Sequence, residues 1–394
     1  MMNEVKIVKV TSQREMDDFI HVVDDIYRDY PQYVPEFEND VRGLFSIKTN
    51  PGLEFSDIQP FVAYQNNKVV GRIVGIVNHK ANKKWKTNNV RFSMIEFIDD
   101  LNVSRALLET VEKWGKSLGM ENIHGPLGVT DFDKEGMLIE DFELGGSAAE
   151  FWNYPYYVKH MEKQGYTKAV DWLQVRIDVP KEIPPRYHRV SEYLKEELHL
   201  RVVKKTKKEV KAGYGHVLFN LFNEAFEPLY GTSMFDTKQI DNYVNMYLPL
   251  LDMDLIPFIL DENDEMVGAA VTLRDPSAAL KKSGGKLLPL GWMHLAKHVL
   301  FKKSEKAMLL LIGVKPKYHG MGLNAMFFDD LIPIYNKKGI KWCETNPQLE
   351  YNVKELAQWK PLNPKMVKRR RCWEKSLTDK PLAPNPMIKN LTNE

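Results

Sequence analysis

Apolar and polar residues alternate along Val5–Val10, and then the spacing lengthens. Met16, Phe19, Ile20, Val23 and Ile26 share one helical face behind Ser12, which predicts a capped helix running to about Tyr30. After a loop-rich stretch, Pro60–Tyr64 and Lys68–Val77 form two strand patterns joined through Gln65, Asn66 and Asn67, a hairpin signal. Val90–Ile98 predicts a strand, Asn102–Leu118 a helix closed by Gly119, and Ile123 the start of a short strand. The predicted order, β-α-β-β-β-α-β, belongs to an α/β (α+β) domain. A long acidic connection from Gly125 to Glu150 follows, then the aromatic run Phe151–Tyr157, a helix ending at Gly165-Tyr166, and a strand from Val170 to Val179. A connection of that length is expected to line a substrate site.

The pattern then begins again. Pro184-Pro185 marks a joint, and a short helix follows around Val190–Leu198. Leu200–Thr206 echoes Val5–Thr11. Pro257–Leu260 with Val267-Gly268 repeats Pro60–Ala63 with Val70-Gly71 at an offset of 197 residues. Gly339–Cys343 echoes Gly119–Ile123 at an offset of 220, which puts an insertion in the second half, within Pro276–Glu305. Self-similarity at half the chain length predicts two copies of one fold: 1–180, a linker 181–198, 199–379, and a loose tail 380–394. Met366–Leu377 reads as a last strand, with Lys368–Arg371 supplying exposed basic positions.

The candidate chemistry lies in the second copy. Met308–Val314 reads as a fully buried strand, broken at Lys315-Pro316. A loop with Gly320 and Gly322 follows, and then a helix pattern of Leu323, Met326, Phe327 and Leu331. Strand, glycine loop and helix N-terminus present backbone N–H groups to an anion. Lys317-Tyr318-His319-Gly320-Met321-Gly322, after Val314-Lys315-Pro316, resembles the Gln/Arg-x-x-Gly-x-Gly/Ala pyrophosphate loop of the GCN5-related N-acetyltransferases, the GNAT superfamily. Glu350-x-Asn352 resembles that family's fourth-helix segment, as does Asn153 to Gly165-Tyr166 in the first copy.

The whole pattern resembles tandem GNAT proteins. That resemblance implies two GNAT-like domains, each a mixed, mostly antiparallel sheet flanked by helices. It implies acetyl-CoA, or another acyl-CoA, on Lys317, Tyr318, His319, Gly320, Met321, Gly322 and Leu323. Asn352 would steady the pantetheine arm, and a backbone N–H among Ile312–Val314 would serve the oxyanion. The family's thiolate-protonating Tyr would fall at Trp359, and an indole is no general acid; Tyr351 is the candidate in its place. No acid lies on Met308–Val314, and Glu344 on the next strand is the candidate base. In the first copy Asp100 and Asn102 fall opposite Gly320 and Gly322. Negative charge there opposes a pyrophosphate, so that copy is expected to have lost the cofactor site and to supply substrate surface or support.

Composition narrows the remaining choices. A net charge of +2 in 394 residues does not suggest nucleic acid. Two cysteines form no disulfide framework, and no apolar run reaches the length of a membrane span, so a cytoplasmic, soluble protein is expected. No metal site is expected. Asp131, Asp133 and Glu135 open like an EF-hand loop, but Phe142 stands where the twelfth-position acid belongs. His294 and His298 share a helix face without a third ligand. The expected activity is N-acetyl transfer to the amine of a small molecule or peptide. The alternatives are a longer acyl or aminoacyl donor, or a degenerate copy pair that binds coenzyme A without turnover.

Overall fold

The computed structural model describes residues 4–286, 293 and 304–382; His294 and His298 lie outside the described residues. The chain divides into two compact units that interleave in sequence. The first holds 4–172, 277–286 and 368–382; the second holds 173–276, 293 and 304–367. No described helix is long and apolar enough to cross a membrane.

In the first unit, β1 (Val5–Lys9), β2 (Ser56–Gln65), β3 (Lys68–Asn78) and β4 (Asn89–Phe97) pair antiparallel in that order, and β4 then pairs parallel with β5 (Asn122–Gly125). Helix α1 (Gln13–Ile26) starts where predicted, because Ser12 and Glu15 form a reciprocal capping box. Phe19, Ile20, Val22 and Val23 bury its inner face. The β2–β3 turn places both Asn66 and Asn67 at positive φ, 52° and 60°, which gives the two-residue turn whose twist suits a hairpin. Helices α2 (Glu38–Leu44), α3 (His79–Trp85) and α4 (Leu101–Ser117) complete the early part of this unit. The core lies between the sheet and α4, around Phe61, Ile73, Phe92, Leu107 and Val111.

The long connection after β5 is not structureless. It contains β6 (Met137–Glu140), and it leads to α5 (Tyr156–Lys163) and β7 (Thr167–Asp178), whose first half belongs to this unit and whose second half belongs to the other. Asp133 accepts the Thr130 amide at 2.9 Å, so this acid closes the loop on itself.

The last strand departs from the order of the chain. From Lys368 onward, β14 (Lys365–Ser376) is part of the first unit and pairs antiparallel with β5 and with β6. Its basic residues are not the solvated face that the sequence suggested. Lys368 and Arg370 are 2% and 0% exposed, and both reach the buried Glu150 carboxylate, at 3.3 and 2.7 Å. Arg371 forks onto buried Asp171 at 2.8 and 3.0 Å. Charges inside a sheet are tolerated only when so matched.

The second unit repeats the plan. Its sheet runs β8 (Arg201–Val203), β9 (Phe258–Leu260), β10 (Met266–Arg274), β11 (Lys306–Val314), β12 (Trp342–Thr345) and then the second half of β7. Only β11–β12 among these pairs is parallel. Around it lie α6 (Pro185–Glu197), α7 (Lys207–Glu209), α8 (Gly215–Ala225), α9 (Thr237–Tyr247), α11 (Asn324–Lys337) and α12 (Val353–Ala357); α10 (Ser277–Ser283) belongs to the first unit. The segment read as a joint is therefore mostly α6, started by Pro185 in its first turn and packed through Tyr187 and Val190 on Phe328 and Ile332.

Candidate functional site

Both units part the same pair of strands. In the second, β11 and β12 stay paired only from Lys306/Trp342 to Leu309/Thr345. A bulge sets one extra residue, Leu310, into β11 against Val271 and Thr272 of β10. Beyond it β11 is not the fully buried strand that its apolar sequence predicts. Leu309, Leu310, Leu311, Ile312 and Val314 are only half-buried, although Gly313 is covered. Apolar side chains left beside an opening in a sheet line a cleft.

Nine residues, Lys315–Leu323, connect β11 to α11. Lys315 anchors the loop, its amide on Val267 O at 2.9 Å and its ammonium on Glu265. Tyr318 and Leu323 point into the core, so they can offer a ligand only their backbone. His319 turns its ring onto Val314 O at 3.0 Å. Lys317 makes no ion pair among the described residues, and its ammonium lies 5.1 Å from the Tyr318 ring centroid. Met321 is 46% exposed.

Gly320 and Gly322 take φ of 79° and 86°, a region glycine enters without a Cβ penalty. Nothing lies within 4 Å of where a Gly320 Cβ would stand, and a Gly322 Cβ would meet Val190 of α6 at 3.0 Å. The amides of Gly320, Gly322, Leu323 and Asn324 donate to no acceptor among the described residues, and no side chain caps α11. Four unpaired donors at the positive end of a helix, beside an unpaired lysine, fit an anion of pyrophosphate type.

The first unit has no such cradle. Only Ile98, Asp99 and Asp100 link β4 to α4, so the glycine loop is missing rather than altered. Asp100 caps α4, accepting the Asn102 amide at 2.8 Å, and Asp99 pairs with His160 at 3.0 Å.

The proposed acid–base residues are less open. Glu344, on β12, is 6% exposed and bound to Lys306 Nζ at 2.9 Å. That ion pair engages the carboxylate the sequence offers as a base. Tyr351 is half-buried in the turn before α12. Asn352 caps that helix, its Oδ1 accepting the Glu355 amide at 3.3 Å. Trp359 is core, donating from Nε1 to Gln348 Oε1 at 2.9 Å. Gln348 in turn donates to Glu355 at 3.1 Å, whose carboxyl burial pushes up to about 7. No described hydrogen bond joins Glu344 to Tyr351 or Asn352.

The sequence reading missed Glu96, the one acid in the otherwise apolar end of β4. A bulge at Met94, φ 46°, precedes it. The carboxylate is 3% exposed. Its Oε2 accepts from Tyr157 at 2.9 Å and from Tyr27, and the two hydroxyls are 3.2 Å apart. Burial pushes Glu96 up to about 7, against the pull of nearby Arg72. Tyr157 also accepts the Phe97 amide at 3.0 Å, so the aromatic run holds the end of β4. A lone acid on an apolar strand was the available signal.

One group with metal-ligand geometry occurs among the described residues, His188, Glu192 and Asp329. Lys195 bonds Glu192 at 2.8 Å and Asp329 at 3.3 Å, so an ammonium already supplies the cation there.

No family model matches the chain. Its fold is that of tandem GNAT proteins. A tandem GNAT protein from the clavulanic acid biosynthesis pathway superposes at a TM-score of 0.56 with 11% identity, covering 96% of this chain and 100% of that one. A GCN5-related N-acetyltransferase from Sphaerobacter thermophilus superposes at 0.52 with 9% identity, covering 96% and 98%. In sequence the chain is 24% identical to Protein YghO of Escherichia coli, over 93% of this chain and 94% of that protein. It is also 24% identical to a bacterial ceramide synthase of Caulobacter vibrioides, over 80% and 82%.

Proposed function

We propose that this protein is an acyl-CoA-dependent N-acyltransferase whose second unit binds the coenzyme A moiety. The observation that carries the reading is the Lys315–Leu323 loop, with Gly320 and Gly322 at positive φ and four unpaired amides at the start of α11. These amides and Lys317 would hold the pyrophosphate. Bound acyl-CoA supplies an activated thioester acyl group. The half-buried residues of β11 beyond Leu309 would flank that group, with the Ile312–Val314 backbone offering an N–H toward the oxyanion. Asn352 would orient the pantetheine arm through the turn it caps, and Tyr351 and Glu344 are the candidates for proton transfer. The acceptor is an amine.

The likeness to a ceramide synthase favours a longer acyl chain over acetyl. A ceramide is the amide of a fatty acid and a long-chain amino alcohol, so making one joins an acyl group to an amine nitrogen. Titration calorimetry with coenzyme A, acetyl-CoA and palmitoyl-CoA tests the reading, followed by thioester turnover with short and long-chain amines. One equivalent of coenzyme A is expected per chain. Gly320→Asp combined with Gly322→Asn should abolish that binding, at least a hundredfold, in a protein that still melts cooperatively. Both replacements tolerate positive φ, while the aspartate sets charge against the phosphates. Unchanged affinity in the double variant would remove the loop from the site. Binding without turnover of any amine would leave a coenzyme A-binding protein.

A further inference from the structure

The first unit gave up its helix-terminal anion site, yet it keeps a buried, chemically distinct recess where β4 and β5 part. Pairing of those strands ends at Arg91/His124, and the gap is lined by Glu96, Pro126, Phe151, Trp152, Asn153 and Tyr157. Its polar groups are almost all committed. Trp152 Nε1 donates to Phe142 O at 3.1 Å. The Asn153 side chain accepts from Leu138 N at 2.8 Å and donates to Leu138 O at 3.0 Å. Tyr157 is bonded to Glu96, Tyr27 and the Phe97 amide.

Glu96 differs from these. Both tyrosine hydroxyls converge on Oε2, and no described residue donates to Oε1. The nearest cation is engaged elsewhere. Arg72 donates to Glu36 at 3.0 Å and to Phe19 O at 3.3 Å, while Lys134 holds the other Glu36 oxygen at 3.3 Å. The recess therefore offers one carboxylate oxygen, no free donor, and aromatic walls. An anion would find nothing to bind there. A donor-rich cation would find an acceptor and π faces.

We infer that this recess in the first unit is an amine-binding site, taking the ammonium head of a primary amine with an apolar body on Glu96 Oε1 against Trp152, Phe151 and Tyr157. If the chain is the acyltransferase proposed above, that ligand is the acceptor; the binding itself does not depend on coenzyme A. The groups that face Glu96 are Arg72 from β3, Tyr27 from α1, Tyr156 and Tyr157 from α5, and Tyr33 and Glu36 from the segment after α1. The tyrosines are held neutral by burial, and Arg72 and Glu36 pair with each other. Glu96 is thus the group whose ionisation changes near neutrality, and amine affinity should rise as pH passes from 6 to 8.

The test is calorimetric titration of the full chain with n-octylamine and with octan-1-ol, its uncharged counterpart, without coenzyme A. A preference for the amine of tenfold or more is expected at pH 8, and Glu96→Gln should erase it. Tyr157→Phe removes one hydrogen bond but keeps the carboxylate, and should retain the preference, which controls for a folding defect in either variant. Equal affinity for amine and alcohol, no amine binding, or a preference that survives Glu96→Gln overturns the inference and leaves a recess that holds only water. Coenzyme A is titrated into the same wild-type sample. Its failure to bind would sink the acyltransferase reading while the amine result stood or fell by itself.

Discussion

A buried carboxylate with a raised pKa leaves a trace in stability as well as in binding. Glu96 titrates near 7 in the folded chain against 4.5 in an ordinary setting, so between those values the native state holds a proton that the unfolded chain has lost. The stabilisation from that proton is complete below about pH 4.5 and is lost as pH rises through 7. Glu96→Gln mimics the protonated form at every pH. Its stability relative to wild type should therefore climb between pH 5 and pH 8, by up to ~3 kcal/mol at 1.36 kcal/mol per pKa unit, as read from paired urea denaturations. A flat difference would mean that Glu96 is an ordinary carboxylate. Glu344 makes the opposite case. Its Lys306 partner is itself largely buried, so Glu344→Gln should lower stability by ~1–3 kcal/mol through the unmatched charge. A fall in kcat at unchanged stability would instead place Glu344 among the reacting groups.

At the level of single elements, the two copies show how one strand–loop–helix joint can be opened or closed. In the second, the loop leaves the α11 amides bare; in the first, three residues and an Asp100 cap seal them. Asp100→Ala should cost ~1 kcal/mol, the usual loss for an N-cap carboxylate, and leave coenzyme A affinity untouched. Much of this was legible in the sequence. Ser12 with Glu15 announced α1, Asn66-Asn67 announced the hairpin, and the repeat announced two copies, because each signal is local or periodic. The polar interior was not. Arg370 and Lys368 look like surface residues until Glu150, more than two hundred positions away, is brought beneath them. The half-buried state of Leu310 and Ile312 depends on a bulge that no hydropathy pattern records. Spacing suggested that Asp100 had replaced Gly320, whereas the loop itself is missing from the first copy.

Across the whole molecule, the units do not follow the halves of the sequence. The end of the chain, from Lys368, fills a place in the first unit's sheet. A chain ending at Val367 would leave the edge of β5 unpaired and strip Glu150 and Asp171 of their buried cations. Such a truncation should cost the first unit its protection against proteolysis and hydrogen exchange along β4 and β5, although every residue of those strands is still present. Normal protection there would show that β14 adds little.

The same strand sets a timetable for synthesis. A domain built from one continuous segment can fold as it leaves the ribosome. Here the first unit's early segment ends at Trp172, and its closing strand emerges about 200 residues later. At about 5–20 residues per second, the usual pace of translation, that is a wait on the order of 10–40 s. During that interval the β5 edge and the Glu150 and Asp171 carboxylates have no partner from their own chain. The protein that begins first is finished last, and a chaperone that shields exposed strand edges would be needed most while the second unit is still being made.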